Sequence, residues 1–102
     1  MSVNLATVFE ETAAPETIEF AVVGHDFRQG YSESGDAVFP VQPWPDARPT
    51  LDYYYCNGYG SAGCHAVYAW TRTRVFWVAE YDGSTHISWA PRDPTPCVPW
   101  FS

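Results

Sequence analysis

The sequence predicts a mainly β domain, with α+β as the near variant: a single antiparallel sheet of about five strands, one short N-terminal helix and long Pro-rich loops. Three observations carry this. Aromatic and β-branched residues dominate the runs between positions 51 and 90, the composition of half-buried strands. Asp82-Gly83 separates two such runs, and this dipeptide is a strong two-residue hairpin signal. Nine prolines are spread so that few segments are left for long helices.

Residues 2–14 fit two templates. Leu5, Val8, Phe9 and Thr12 form a helical stripe with Asn4 as N-cap, whereas Val3, Leu5, Thr7 and Phe9 alternate as a strand would. The stripe favours a short helix ended by Pro15. Thr17–Val23 then reads as a strand, with Ile18, Phe20 and Val22 on one face. From Gly24 to Thr50 regular structure is expected to fade, apart from a short strand at Val38-Phe39. The stretch Pro40–Pro45 should be extended, because each proline pushes its predecessor toward β or polyproline geometry.

Leu51–Cys56 reads as a strand carrying three tyrosines. The loop 57–63, with three glycines, leads to a return strand Cys64–Thr71. Arg74–Tyr81 follows a tight turn near Arg72-Thr73. The Asp82-Gly83 turn sets a register: Tyr81 opposite Ser84, Val78 opposite Ile87, Phe76 opposite Trp89. Phe76, Val78, Ile87 and Trp89 then share one face, expected to be the core side. Trp77, Ala79, His86 and Ser88 share the other, where an indole needs a cover. The tail from Pro91, with four prolines, is neither helix nor central strand. Trp100 and Phe101 are expected to anchor it.

A chain of 102 residues is expected to be one domain, 1–102. Its charge is uneven. Nine acids and two arginines lie in residues 1–52, and three acids and three arginines in 53–102, for a net charge of −7. Twelve of the eighteen aromatics lie in the second half. The acidic balance argues against nucleic acid or an anionic membrane as a direct partner. The Met1–Leu5 start lacks a basic region followed by an apolar stretch, so the expected compartment is the cytoplasm, with reduced thiols. Were the protein exported, Cys56 and Cys64 would be the candidate bridge across the glycine loop.

The sequence carries no G-x-S-x-G and no H-E-x-x-H, and the glycine loop lacks the Lys-Ser/Thr of a phosphate cradle. No catalytic residue and no cofactor is assigned. Cys56, Cys64, His65 and Cys97 are the residue types of a Cys3His zinc site, but C-x7-C-H is not a usual zinc spacing, and buried cysteines also serve as small hydrophobes. Two surfaces remain. Glu10, Glu11, Glu16, Glu19, Asp26, Glu33 and Asp36 form an acidic set that either solubilises or mimics phosphates before a basic groove. Tyr53, Tyr55, Tyr59 and Trp77 form an aromatic set suited to a protein interface.

The expected function is a small acidic binding module. Its partner would be a protein with a basic surface, and the module an inhibitor of a larger nucleic-acid-binding protein, as phage-encoded anti-defence proteins are. The alternatives are a small enzyme or metal domain using Cys56, Cys64, His65 and Cys97, and a structural subunit of an oligomer or virion joined through the Trp77 face.

Overall fold

The protein is described by a computed structural model covering residues 2–28, 37–58, 60 and 63–99. The elements are β1 (Ser2–Asn4), α1 (Leu5–Ala13), β2 (Phe20–Asp26), β3 (Val41–Pro43), α2 (Trp44–Leu51), β4 (Tyr54–Cys56), β5 (His65–Trp70), β6 (Arg74–Tyr81) and β7 (Ser84–Pro91). Five strands make an antiparallel sheet in the order β3-β2-β5-β6-β7, and β1 pairs with β4 in a separate two-stranded ladder.

The β6–β7 hairpin has the register expected from its turn, from Tyr81 opposite Ser84 to Phe76 opposite Trp89. Asp82 and Gly83 take φ of 52° and 84°, the left-handed pair a two-residue hairpin turn needs. α1 begins where Asn4 accepts a hydrogen bond from the Thr7 amide at 3.0 Å, a side-chain N-cap. Leu5, Ala6, Phe9 and Ala13 form its buried stripe.

Several expectations are corrected. The first is a second helix. α2 contains Pro45 and Pro49, which had pointed to an irregular segment. Pro45 falls in the first turn, where an amide has no helical partner anyway. Asp46 and Arg48 sit at the ends that the helix dipole favours. Trp44, Ala47 and Leu51 bury one stripe. Only Val41–Pro43 of the extended stretch is strand; Val38-Phe39 is not.

The second correction concerns β4, which does not form a hairpin with β5. It pairs with β1, while β5 pairs with β2 and β6. Exposed Cys56 thus lies in the β1–β4 ladder, whereas buried Cys64 stands just before β5. The third is the extent of β2, which runs Phe20–Asp26 rather than Thr17–Val23. Buried Ile18 precedes the strand; Phe20 and Val22 share one face as expected, and it is the face away from the helices, with Phe20 41% exposed and Ala21 fully buried on the other. The fourth is Trp89. It shares the core face with fully buried Phe76 and half-buried Val78 and Ile87, but the indole itself is 50% exposed. β7 is the sheet edge, so Trp89 has sheet on one flank only.

The core lies between one face of the sheet and the two helices. Ala21, Val67, Ala69 and Phe76 supply the sheet side, and the α1 and α2 stripes supply the other. Alanines at 6, 13, 21, 47 and 69 leave room for close packing of the two layers. No helix among the described residues is long and apolar enough to cross a membrane.

Candidate protein-binding surface

Strand alternation fixes what stands on the sheet face turned away from the helices. Cα pairing of Phe20 with Pro43 and Trp70, of Val22 with Val41 and Tyr68, and of Tyr68 with Trp77 puts all these residues on one face. Phe20, Val41 and Tyr68 are exposed by 41%, 64% and 58%, and Trp70, Val75 and Trp77 are half-buried. Tyr68 and Trp70 meet edge to face at 6.2 Å. A shallow depression of about 390 Å³ is lined by Tyr68, Trp70, Val75 and Trp77. The segment near Phe39 flanks one side of this face, and Cys97–Pro99 flanks Trp77 on another. Arg92 borders it beside Phe20 and Trp70.

The aromatic set read from sequence is only partly on this surface. Trp77 is there. Tyr55 is a core residue, 6% exposed, and its neighbour Tyr54 is 72% exposed, the reverse of the expected alternation. β4 faces the core through its middle residue because it pairs with β1 rather than with the main sheet. Tyr53 is half-buried in a polar cluster, described below, and Tyr59 lies outside the described residues. Phe20, Tyr68 and Trp70 were missed. Their signal was present: the pattern Ala66-Val67-Tyr68-Ala69-Trp70 places the small alanine at 69 opposite two aromatics.

Much of the acidic set is tied to the chain's own arginines. Glu10 accepts hydrogen bonds from Arg48 Nε (3.0 Å), Arg48 Nη2 (3.1 Å) and Trp44 Nε1 (3.0 Å), clasping α1 to α2. The Arg48 bonds lead in holding its carboxyl below the usual range. Glu16 accepts from Thr73 Oγ1 (2.7 Å), Thr71 Oγ1 (2.9 Å) and Arg74 Nε (2.9 Å), and these bonds lower its pKa. Arg74 also donates to the Ala13 carbonyl and lies over the Phe76 and Trp89 rings, at 4.8 and 4.9 Å from their centroids. Glu19 lies 3.5 Å from Arg92. Asp26 is bonded by Arg28 through two nitrogens and its backbone amide, which depresses its pKa to about 2. Four of the five arginines are therefore occupied by the chain's own carboxylates. Among the described residues, exposed charge outside ion pairs remains at Glu11, Asp46, Glu80, Asp82 and Asp93, and at Arg72. Glu33 and Asp36 lie outside the described residues.

One cluster has the residue types of a catalytic site. The Tyr53 hydroxyl lies 2.7 Å from His65 Nδ1 and accepts from the His65 backbone amide at 2.8 Å. His65 Nε2 is 4.0 Å from Asp26, and the Arg28 guanidinium lies 3.9 Å from the Tyr53 ring centroid. Burial pushes Tyr53 up to about 12 and lowers His65. The adjacent Cys64 thiol is raised to about 11 by burial. Near neutral pH the phenol and thiol therefore stay protonated and the imidazole neutral. A thiol raised in this way is not an activated nucleophile, which requires a lowered pKa. The geometry is that of a satisfied polar plug between β2, β5 and the start of β4.

Cys56, Cys64, His65 and Cys97 do not converge. Among the described residues no group of three or more His, Cys, Asp or Glu could hold a metal ion. No protein-family model, curated protein or solved structure matches the chain, so its functional reading rests on this geometry.

Proposed function

We propose that the chain is a protein-binding module that engages a basic partner through the open aromatic face of its main sheet. The observation that carries this is the cluster of Phe20, Tyr68, Trp70 and Trp77 on the face opposite the helices. Tyrosine and tryptophan are enriched at protein interfaces, where a rigid ring adds large contact area at low entropic cost. Four of the chain's five arginines are paired with its own carboxylates, and the exposed charge outside those pairs is acidic apart from Arg72. That balance favours a partner bearing lysine or arginine, whose cations can sit over electron-rich rings. Arg74 and Arg28 already make such contacts within the chain. A protein with a nucleic-acid-binding groove has the required charge, and covering that groove would make this chain its inhibitor.

The test uses two baits in host lysate: the native chain and the pair Tyr68→Ser with Trp77→Ser. The expected result is a basic protein retained by the first and lost by the second, with binding weakened by salt. Identical capture by both baits at equal folding would sink the reading. So would concentration-dependent self-association abolished by the pair, which would make the face a subunit contact.

A further inference from the structure

The outer edge of β7 has the geometry of a strand-addition site. A two-residue turn makes Tyr81–Ser84 a hydrogen-bonded pair, and antiparallel pairs alternate from there. With the observed register, Ser84, His86, Ser88 and Ala90 direct their backbone groups inward to β6. Thr85, Ile87, Trp89 and Pro91 direct theirs outward. Two contacts bear out this parity. The Thr85 amide donates away from the sheet, to the Asn57 carbonyl at 2.9 Å, and the Arg92 amide donates inward, to Thr73 at 2.8 Å. Proline at 91 fits the same rule, since it has no amide to present to the edge.

Ile87 and Trp89 are the positions left. Neither amide nor carbonyl has a backbone partner among the described residues. The edge is protected at its two ends, by the Asn57 carbonyl on Thr85 and by Pro91. No charged residue lies between Thr85 and Ala90, and the strand is eight residues long, where natural edges are kept short, charged or bulged. A groove of about 940 Å³ runs along it, walled by Ile87, Ser88 and Trp89 on one side and by Cys97–Pro99 on the other. Exposed Glu80 and Asp82 stand at its hairpin end, while at the other end exposed Asp93 is joined by exposed Arg92 and by Arg74 over the Trp89 ring.

We propose that an extended segment of a basic partner protein adds to β7 as a sixth strand, exchanging backbone hydrogen bonds with Ile87 and Trp89. The proposal rests on the reading of the chain as a binder of a basic protein, and it specifies the mode of capture. A second copy is the poorer occupant, because two chains of net charge −7 repel each other. Main-chain pairing supplies the hold in such complexes, and alternate side chains supply the selectivity. Here alternate residues of the added strand would meet the Trp77 side and the Trp89 side of the groove, and cationic residues would answer Glu80 and Asp82 at its hairpin end.

The probe is a blocked peptide of about ten residues alternating valine and arginine, added to the full chain. Amide hydrogen exchange is followed by NMR. Saturating peptide should slow exchange at Ile87 and Trp89 by about tenfold or more. The same peptide N-methylated at every second amide should not protect them. Trp89→Pro should bind at least about tenfold more weakly than Trp89→Val, since both lose the indole but only proline loses the outward amide. Unchanged exchange at both positions in millimolar peptide overturns the proposal. If Trp89→Pro does not fold, the N-methylated peptide alone decides, and protection by it equal to the parent's overturns the proposal. Loss of peptide binding in Tyr68→Ser/Trp77→Ser with both amides still unprotected in the native chain removes strand addition and leaves the aromatic-face reading standing. Protection retained in that double variant does the opposite.

Discussion

The two faces of the main sheet are both apolar, but their residue sizes run opposite to what burial alone suggests. On the helix side β2 and β5 present Ala21 and Ala69, each fully buried. On the other side their direct neighbours are Phe20 and Tyr68, exposed by 41% and 58%. Small residues stand where helices must approach, and large rings stand where no helix of the described chain lies. Packing density sets the first choice, because a close-packed layer tolerates no extra volume. It does not explain the second. The second leaves Phe20 and Tyr68 exposed beside half-buried Trp70 and Trp77, an apolar patch of the kind that marks contact surfaces.

The sharpest way to break this comparison is to truncate one ring on each face. Phe9→Ala or Phe76→Ala removes a fully buried ring and should cost about 3–5 kcal/mol, read by chemical denaturation. Tyr68→Ser on the open face should leave stability within about 0.5 kcal/mol. Equal losses would show that the open face is a second core.

Trp89→Ala sharpens the boundary between the faces. The indole is half exposed and has the Arg74 guanidinium against it, so truncation should cost about 1–2 kcal/mol, between the two classes above. Thermal melts with and without Arg74→Leu would show whether the ring and the cation act as one unit, as a non-additive double-mutant cycle.

Acid tests whether the carboxylates are structural. Asp26, Glu10 and Glu16 titrate below their ordinary values in the fold. Below about pH 4 the unfolded chain binds protons that the folded chain refuses, so stability falls with pH until Asp26 protonates near 2. His65, also lowered, adds loss in the same direction below about pH 6.5, since only the unfolded chain readily takes up its proton. Melting temperature should therefore decline steadily from neutral pH to about 3, with Asp26→Asn flattening the lower part of the curve. A flat profile would show that these ion pairs add nothing to stability.

The smallest effect concerns charge that nothing in the fold uses. Glu11→Gln should change stability by less than about 0.5 kcal/mol, in contrast to Glu16→Gln, which removes the charge facing Arg74 and leaves one acceptor oxygen where Arg74, Thr71 and Thr73 now share two. Denaturation midpoints of the two variants should separate clearly.

Local chemistry was legible in the sequence. The Asp82-Gly83 turn gave the hairpin register, and Asn4 gave the start of α1. What was not legible depends on which strands meet. Tyr54 and Tyr55 exchange roles because β4 pairs with β1, a partnership between residues some fifty positions apart. β2 carries apolar residues on both sides, so alternation could not say which side the helices take. α2 was hidden by Pro45 and Pro49, although the spacing of Trp44, Ala47 and Leu51 carried its stripe. The internal use of the acids was invisible, because ion pairing between Glu16 and Arg74 is a property of the folded chain alone.

The placement of the indoles makes the chain its own optical reporter. Trp44 is held in the core against a carboxylate, Trp70 and Trp77 stand on the open face, and Trp89 marks the β7 edge. With Trp44, Trp89 and Trp100 replaced by phenylalanine, emission would come from Trp70 and Trp77 on the open face. A ligand drying that face would shift the spectrum to the blue, and one confined to the strand edge would be seen in a second variant that keeps Trp89 as its one tryptophan. Location of a contact can thus be read from unlabelled protein in a cuvette.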